Sequence, residues 1–393
     1  MSNYLPHQIA KGLRVVETLK KYGVCYLAGQ VRSGKTRTAL YAVAQLGYKR
    51  VLWLTKKAAI PGILKESTAV GVPLTTVTNY EQAAKLSADD YDFVVVDEAH
   101  QLGTVGKPSL RIRAIRKLAL DKPVLLLSGT PSAETTLGLY HQFCITKYSP
   151  LKFKNFYEFF HHYGIPTSIW VNGRKIEQYK KSRPELMEHL APYFVEMSQD
   201  DAGITAKAQD RLHIVPLLPK TKQMIETIKT EFVAWIGGAE RAFESEMAVR
   251  AVIHQVESGS VLLDGEIFNL ENSEVVDYIR EVFGDSPDVA VMAHFRSTRE
   301  KIAKCLPNVH VYSSDGHAEG TSLAHYKHFV VANSGYSGAK FIQRRERGVL
   351  IGRDDAAVVH HIVTDAGVSR HVYKAVSDKR DFNLAMFRKM LHA

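Results

Sequence analysis

Three cysteines in 393 residues, Cys25, Cys144 and Cys305, stand far apart and nowhere form a C-x-x-C pair. That scarcity excludes a disulfide framework and a cysteine-built zinc site, and it fits a reducing compartment. No run of eighteen apolar residues occurs, so no segment reads as a membrane span. The opening Met1-Ser2-Asn3-Tyr4-Leu5 has neither the basic nor the apolar region of a secretion signal, and the expected location is the cytoplasm. Internal repeats and low-complexity linkers are also missing, which leaves out repeat architectures.

What is present is an ordinary globular balance, 45% hydrophobic and 23% charged residues, in a chain long enough for two or three domains with their own cores. The formal net charge of +10 attracts polyanions before any specific contact forms, and nucleic acid is the obvious candidate. Many basic proteins have no such partner. Motifs have to decide.

Between Val24 and Ser132, short apolar runs alternate with amphipathic stretches: Val24–Ala28, Val51–Thr55, Thr75–Thr78, Phe93–Val96 and Val124–Leu127. Runs of that length read as parallel strands buried on both faces. From about Tyr148 the character turns aromatic and helical, with Phe153, Phe156, Tyr157, Phe159 and Phe160 spaced like one helix face. Lys222–His254 reads as a helical segment, and Arg211–Leu218 as a strand that belongs either here or to the next lobe. Apolar strands return at Val289–Ala293, His310–Tyr312, Phe329–Ala332 and Val358–Val363. The expected organisation is an α/β chain: a first parallel-sheet lobe over 1–149, a helical accessory region over 150–261 and a second lobe over 262–393.

Gly29-Gln30-Val31-Arg32-Ser33-Gly34-Lys35-Thr36 matches G-x-x-x-x-G-K-[ST] directly after a strand and before a helix, the context a phosphate-binding loop requires. Its backbone N–H groups would cradle phosphates, Lys35 would reach the β and γ phosphates, and Thr36 would ligate Mg²⁺. Asp97-Glu98-Ala99-His100 follows the strand Phe93–Val96, placing two carboxylates at a strand's C-terminal end, where α/β sheets hold ligands. Alone, that tetrapeptide is as readily an acidic helix start. Downstream of a phosphate loop, Asp97 suits the metal and Glu98 suits the attacking water.

These motifs make the chain resemble a superfamily 2 helicase, closest to the remodeller-like branch and to compact phage helicases. The resemblance covers nearly the whole chain and implies two RecA-like lobes with an ATP cleft between them. It implies that Gln8, in Leu5-Pro6-His7-Gln8, contacts adenine. It implies that Asp97, Glu98 and His100 form the second ATP motif, and that Ser128-Gly129-Thr130-Pro131 couples hydrolysis to lobe movement, through Ser128 and Thr130. In the second lobe, Ala318-Glu319-Gly320-Thr321-Ser322-Leu323 resembles motif V, adding Gly320 to the nucleotide site. Gln343-Arg344-Arg345-Glu346-Arg347 resembles motif VI, with Gln343 catalytic and Arg347 as an arginine finger. An arginine-rich run of this kind is otherwise a solvated helix face. The family's further arginine is replaced here by Leu350, so Arg344 and Arg353 stand as alternatives to Arg347, and Ser322 stands where an acidic or amide residue is usual.

By position, the resemblance also implies a nucleic-acid track through Thr55, Lys56 and Lys57, then Asn79 and Tyr80, then His294, Phe295 and Arg296, gripping phosphates rather than bases. The expected function is DNA unwinding driven by ATP hydrolysis. Alternatives are duplex translocation without unwinding and a nucleotide-gated binding module. The implied cofactors are ATP and Mg²⁺. The implied partner is DNA, as a single strand or a fork, with RNA also open. Replication or recombination proteins are candidate associates, no membrane is involved, and a monomer is expected, in the host cytoplasm for a phage-encoded chain. Finally, Ile169-Trp170-Val171-Asn172-Gly173-Arg174-Lys175-Ile176 fits a hairpin turned by Asn-Gly. Trp170 there either packs on the aromatic helix or serves as a strand-parting wedge.

Overall fold

The computed structural model describes residues 4–30, 32–132, 135–171, 174–203, 209–314, 326–337, 341 and 358–378. Gly320, Ser322, Gln343, Arg344, Arg347, Leu350, Arg353 and the Asn172-Gly173 pair lie outside them. The chain divides into two compact units, Met1–Thr205 and Ala206–Ala393.

In the first unit the apolar runs become β1 (Val24–Gly29), β2 (Val51–Thr55), β3 (Thr76–Asn79), β4 (Phe93–Asp97) and β5 (Val124–Ser128). An antiparallel hairpin follows, β6 (Gly164–Val171) and β7 (Arg174–Ser182), and then β8 (Phe194–Met197). The sheet is parallel throughout, in the order β3-β2-β4-β5-β1-β8. Alternation assigns each residue a face. Tyr26, Leu52, Leu54, Val94, Val96 and Leu126 pack with the helices Leu110–Ala119 and Phe156–Tyr163. Leu27, Trp53, Phe93, Val95 and Leu125 pack with the helices Pro6–Tyr22 and Lys35–Leu46. Both faces are thus covered, which is why the strands read as continuous apolar runs.

The second unit begins earlier than its sequence pattern suggests. β9 (Gln209–Val215) lies parallel to a strand near the chain's end and shares its sheet. The stretch expected as one helical segment, Lys222–His254, is instead helix Pro219–Glu231, the hairpin β10 (Val233–Ile236) with β11 (Ala239–Ala242), and helix Glu246–Val256. Phe232 at φ 60° ends the first helix, and Gly237 and Gly238 at φ 64° and 78° make the turn. Ala234 and Ile236 face inward while Trp235 faces out, a period of two that overrides the helical reading. A second hairpin pairs β12 (Ser260–Leu263) with β13 (Glu266–Asn269). β14 (Val289–Ala293), β15 (His310–Ser313), β16 (His328–Asn333) and β17 (Val358–Thr364) complete a parallel sheet ordered β15-β14-β16-β17-β9. Residues 150–261, read from sequence as one accessory region, are therefore shared between the units. Both units are α/β lobes around parallel sheets, as the fold reading expects.

One side-chain cluster in the second unit carries a consequence for pH. His213 bridges Tyr278 Oη and His360 Nδ1, each at 2.9 Å, and His328 lies beside His360 with ring centroids 6.0 Å apart. Burial, then the neighbouring imidazoles and Arg211, push His360 down to about 4. Burial likewise lowers His213, helped by Arg211, and His328, helped by Lys327 against the opposing charge of Asp288. The unfolded chain therefore binds protons that the folded unit refuses. The cluster's contribution to stability is complete above the ordinary imidazole value of 6.5 and is lost as pH falls toward about 4. Melting temperature is expected to fall across that window, less steeply for His360→Gln. A flat profile in the parent would refute this account.

Candidate nucleotide site

Because β4, β5 and β1 are adjacent and parallel, Asp97, Ser128 and Gly29 emerge together at one sheet edge. After β1 the chain turns into helix Lys35–Leu46 through Gly34 at φ 90°. Gly34 requires glycine by its backbone, and a Cβ there would lie 2.6 Å from Gln8 Nε2; one on Gly29 would displace the Lys35 and Ser33 side chains from the loop. The helix starts without a side-chain cap and without an acidic residue in its first turn, where Thr36 lies, an arrangement that favours an anion. The Lys35 ammonium donates to the carbonyls of Gly29 at 2.7 Å and Gln30 at 3.1 Å, folded over the loop. The Ser33 hydroxyl donates to Gln30 O at 2.9 Å, and His7 Nε2 donates to Ser33 O at 3.1 Å, stiffening the turn. Gln8 is buried against Gly34, and its Oε1 accepts the Leu5 N–H at 3.0 Å.

Both Asp97 carboxylate oxygens are engaged. Oδ2 accepts the Thr55 hydroxyl at 2.8 Å and Oδ1 accepts the Glu98 N–H at 3.0 Å. The Tyr80 hydroxyl donates to the Asp97 backbone carbonyl. Glu98 adopts a left-handed conformation at φ 56°, and its Oε2 lies 3.2 Å from His100 Nδ1. The same nitrogen is 2.9 Å from Ser128 Oγ, which in turn accepts the Thr130 N–H at 3.0 Å. Gln101 Nε2, 3.3 Å from His100 Nε2, can only donate, so the ring proton belongs on Nδ1, aimed at Glu98 and Ser128. The tautomer follows from that network, not from an observed proton.

The two carboxylates are pushed apart. Burial, then the Glu98 charge, raises Asp97, against the Thr55 bond and Lys35. Burial works to raise Glu98 as well, but His100, Lys35 and Lys56 override it and hold Glu98 below the usual carboxylate range. Glu98 is thereby kept as an acceptor. A divalent cation beside Asp97 would supply the opposite charge that its burial lacks. The glycine cradle, the Lys35 ammonium, the Thr36 hydroxyl and this carboxylate together fit a Mg²⁺–nucleotide phosphate group.

Two residues expected on the nucleic-acid track belong to this site. Thr55 is 0% exposed and Tyr80 3%, and both hydroxyls are spent on Asp97, so neither presents itself to an external strand. The Asn79 side chain accepts the Gln82 N–H at 3.2 Å, capping the turn that follows β3. Lys57 is exposed, whereas Lys56 is half-buried with its charge acting on Glu98. In the second unit the His294 N–H donates to Asn333 Oδ1 at 2.6 Å, and Phe295 meets the rings of His254 and His294 edge-on. Arg296 is exposed and paired with Glu300 at 2.8 Å. Sequence reasoning also missed Gln142, which accepts the Tyr26 hydroxyl at 2.6 Å and donates to Pro131 O at 2.9 Å, tying the turn after β5 to the core. Only the packing of β1 against the short helix Leu139–Phe143, which carries Gln142, reveals it.

No protein-family model matches the sequence, and no curated protein is significantly similar to it. Among solved structures, a similar chain is the Sulfolobus solfataricus SWI2/SNF2 ATPase core in complex with double-stranded DNA. The identity is 14%, 98% of this chain and 92% of that chain are covered, and the TM-score is 0.43.

Proposed function

We propose that this chain is an ATP-hydrolysing motor that acts on DNA and unwinds it. The observation that carries the reading is the meeting of the Gly29–Thr36 loop, Asp97-Glu98 and the His100–Ser128 link at one edge of a parallel sheet. Mg²⁺, held by the Thr36 hydroxyl and the Asp97 carboxylate, would neutralise phosphate charge as it develops. Lys35 leaves the Gly29 and Gln30 carbonyls for the β and γ phosphates. Glu98, kept anionic, accepts a hydrogen bond from the attacking water and aligns it. His100 bridges that carboxylate to Ser128 and Thr130, which gives the turn after β5 a direct contact with the hydrolytic centre. Gln8 lies beside the loop, where an adenine contact is proposed. Gly320, Gln343 and Arg347 are proposed to complete the nucleotide chemistry, and Lys57, His294, Phe295 and Arg296 to meet the DNA. The test is ATP-driven strand displacement on forked, 5′-tailed and 3′-tailed DNA and RNA, run beside triplex displacement. Triplex displacement alone would reassign the motor to duplex translocation, and no nucleic-acid-stimulated turnover would reject it.

Thr55 acts as a positioning residue in this scheme, because its hydroxyl fixes the rotation of the Asp97 carboxylate. Partners of metal ligands typically contribute about 10- to 100-fold to metal affinity. Thr55→Val is therefore expected to raise the Mg²⁺ concentration that half-saturates fluorescent ADP binding by roughly tenfold. Thr55→Ser should restore it. Identical Mg²⁺ curves for all three proteins would remove Thr55 from the site.

A further inference from the structure

The β6–β7 hairpin is built for more than packing. Its root is fixed: Thr135 Oγ1 donates to Lys180 O at 3.0 Å, Thr136 Oγ1 bonds Ser182 Oγ at 2.5 Å, and Arg183 N–H donates to Tyr163 O at 2.7 Å. Tyr179 fills the place on the aromatic helix, its ring 4.7 Å from Phe160 and 5.4 Å from Phe156. Trp170 has no such role. It lies 72% exposed near the far end, directly across from Lys175, with Ile169 and Ile176 paired on the opposite face. Lys175, Lys180, Lys181 and Arg183 are all exposed, and the one carboxylate on the strand, Glu177, accepts the Tyr179 hydroxyl at 3.3 Å.

An indole left in water on a stiff, cationic arm matches a ligand with flat apolar faces joined by anions. We propose that the hairpin is a contact arm for single-stranded nucleic acid. An unpaired base stacks on Trp170 while Lys175, one cross-strand step away, takes a flanking phosphate, and Lys180, five residues nearer the root, meets the strand several nucleotides further on, about 3.3 Å per residue along β7. Cross-strand neighbours have Cβ atoms about 5 Å apart, a reach within one nucleotide. Because the root is bonded in place, little ordering cost remains when the strand docks. The other exposed tryptophan, Trp235 at 69%, is a natural control: its cross-strand partner is Glu240, a charge that repels phosphate. The proposal takes only its ligand class from the motor reading, and binding is measured without ATP.

The chain has three tryptophans, and Trp53 is fully buried, so Trp235→Phe leaves Trp170 as the exposed reporter. Titration of that protein with a 15-mer of thymidylate is expected to quench its fluorescence saturably, and a blunt duplex of equal length is not. Trp170→Ala is expected to weaken oligonucleotide binding about tenfold, the range for losing one stacked base. Gln at Lys175 or Lys180 should each lower the log–log salt slope by about 0.7, and Gln at Lys181, which pairs with Ile165 on the other face, should not. Absent quenching, equal quenching by blunt duplex, or unchanged affinity in Trp170→Ala would each overturn the arm. Oligonucleotide-stimulated turnover without quenching would reject the arm and leave the motor standing, and quenching without turnover would do the reverse.

Discussion

Glu98→Gln is expected to bind ATP as the parent does and to hydrolyse it roughly 10²- to 10⁴-fold more slowly, the range for losing a positioned base. The amide keeps the shape of the side chain and loses the charge that aligns water. Folding should be spared, because Glu98 belongs to neither hydrophobic layer of the sheet and its φ of 56° is a backbone property that glutamine can share. Lys35→Ala separates the roles: it removes the cation proposed to meet the β and γ phosphates, so nucleotide affinity should fall along with turnover. The measurement is steady-state turnover beside equilibrium binding of a fluorescent ATP analogue. Parent-like turnover in Glu98→Gln would remove the water-aligning role from Glu98 and assign the water to another group.

The placement of the Gly29–Thr36 turn and of Asp97-Glu98 at strand ends was legible because a phosphate-loop pattern ties residue types to local context. Glycines flanked by a strand and a helix, and acids ending a strand, leave few other readings. Thr55 and Tyr80, expected on the nucleic-acid track, direct their hydroxyls to Asp97 instead, for a physical reason. Position along the chain places them at or after strand ends, where contact loops usually lie, but only the sheet order reveals that β2 lies between β3 and β4, so that the Thr55 hydroxyl reaches the Asp97 carboxylate and the Tyr80 hydroxyl its backbone carbonyl. The strands of both sheets were visible in the sequence except β8, a four-residue edge strand that pairs only with β1. The β10–β11 hairpin was hidden between two helices, its four-residue strands too short to compete with the helical pattern around them. Gly237-Gly238 was the available signal.

Nothing in the sequence distinguishes Lys301 from Lys304 of the same helix, Arg296–Cys305, yet its replacement is expected to be among the most damaging changes in the second unit. Its side chain is 6% exposed, and its ammonium donates to three backbone carbonyls: Gly259 at 2.5 Å, Leu270 at 3.0 Å and Asn272 at 2.5 Å. Those carbonyls bracket the β12–β13 hairpin, so one cation closes the loop that joins helix Glu246–Val256 to the helix Glu274–Phe283. Burial pulls the lysine pKa down, but three acceptors match its three N–H donors and leave the ammonium fully satisfied. Lys301→Met keeps the aliphatic stem and removes the donor; Gly259 O keeps the Leu270 N–H at 2.9 Å, while Leu270 O and Asn272 O lose this partner, each at a cost of roughly 1–3 kcal/mol where water cannot reach it. A loss of about 3 kcal/mol would lower the melting temperature by roughly 6–12 °C for a unit of this size. Hydrogen exchange should accelerate first in residues 259–272, while nucleotide binding by the first unit persists below the transition. Should Lys301→Met melt within a degree of the parent, with unchanged exchange across 259–272, the ammonium would not be what closes this loop.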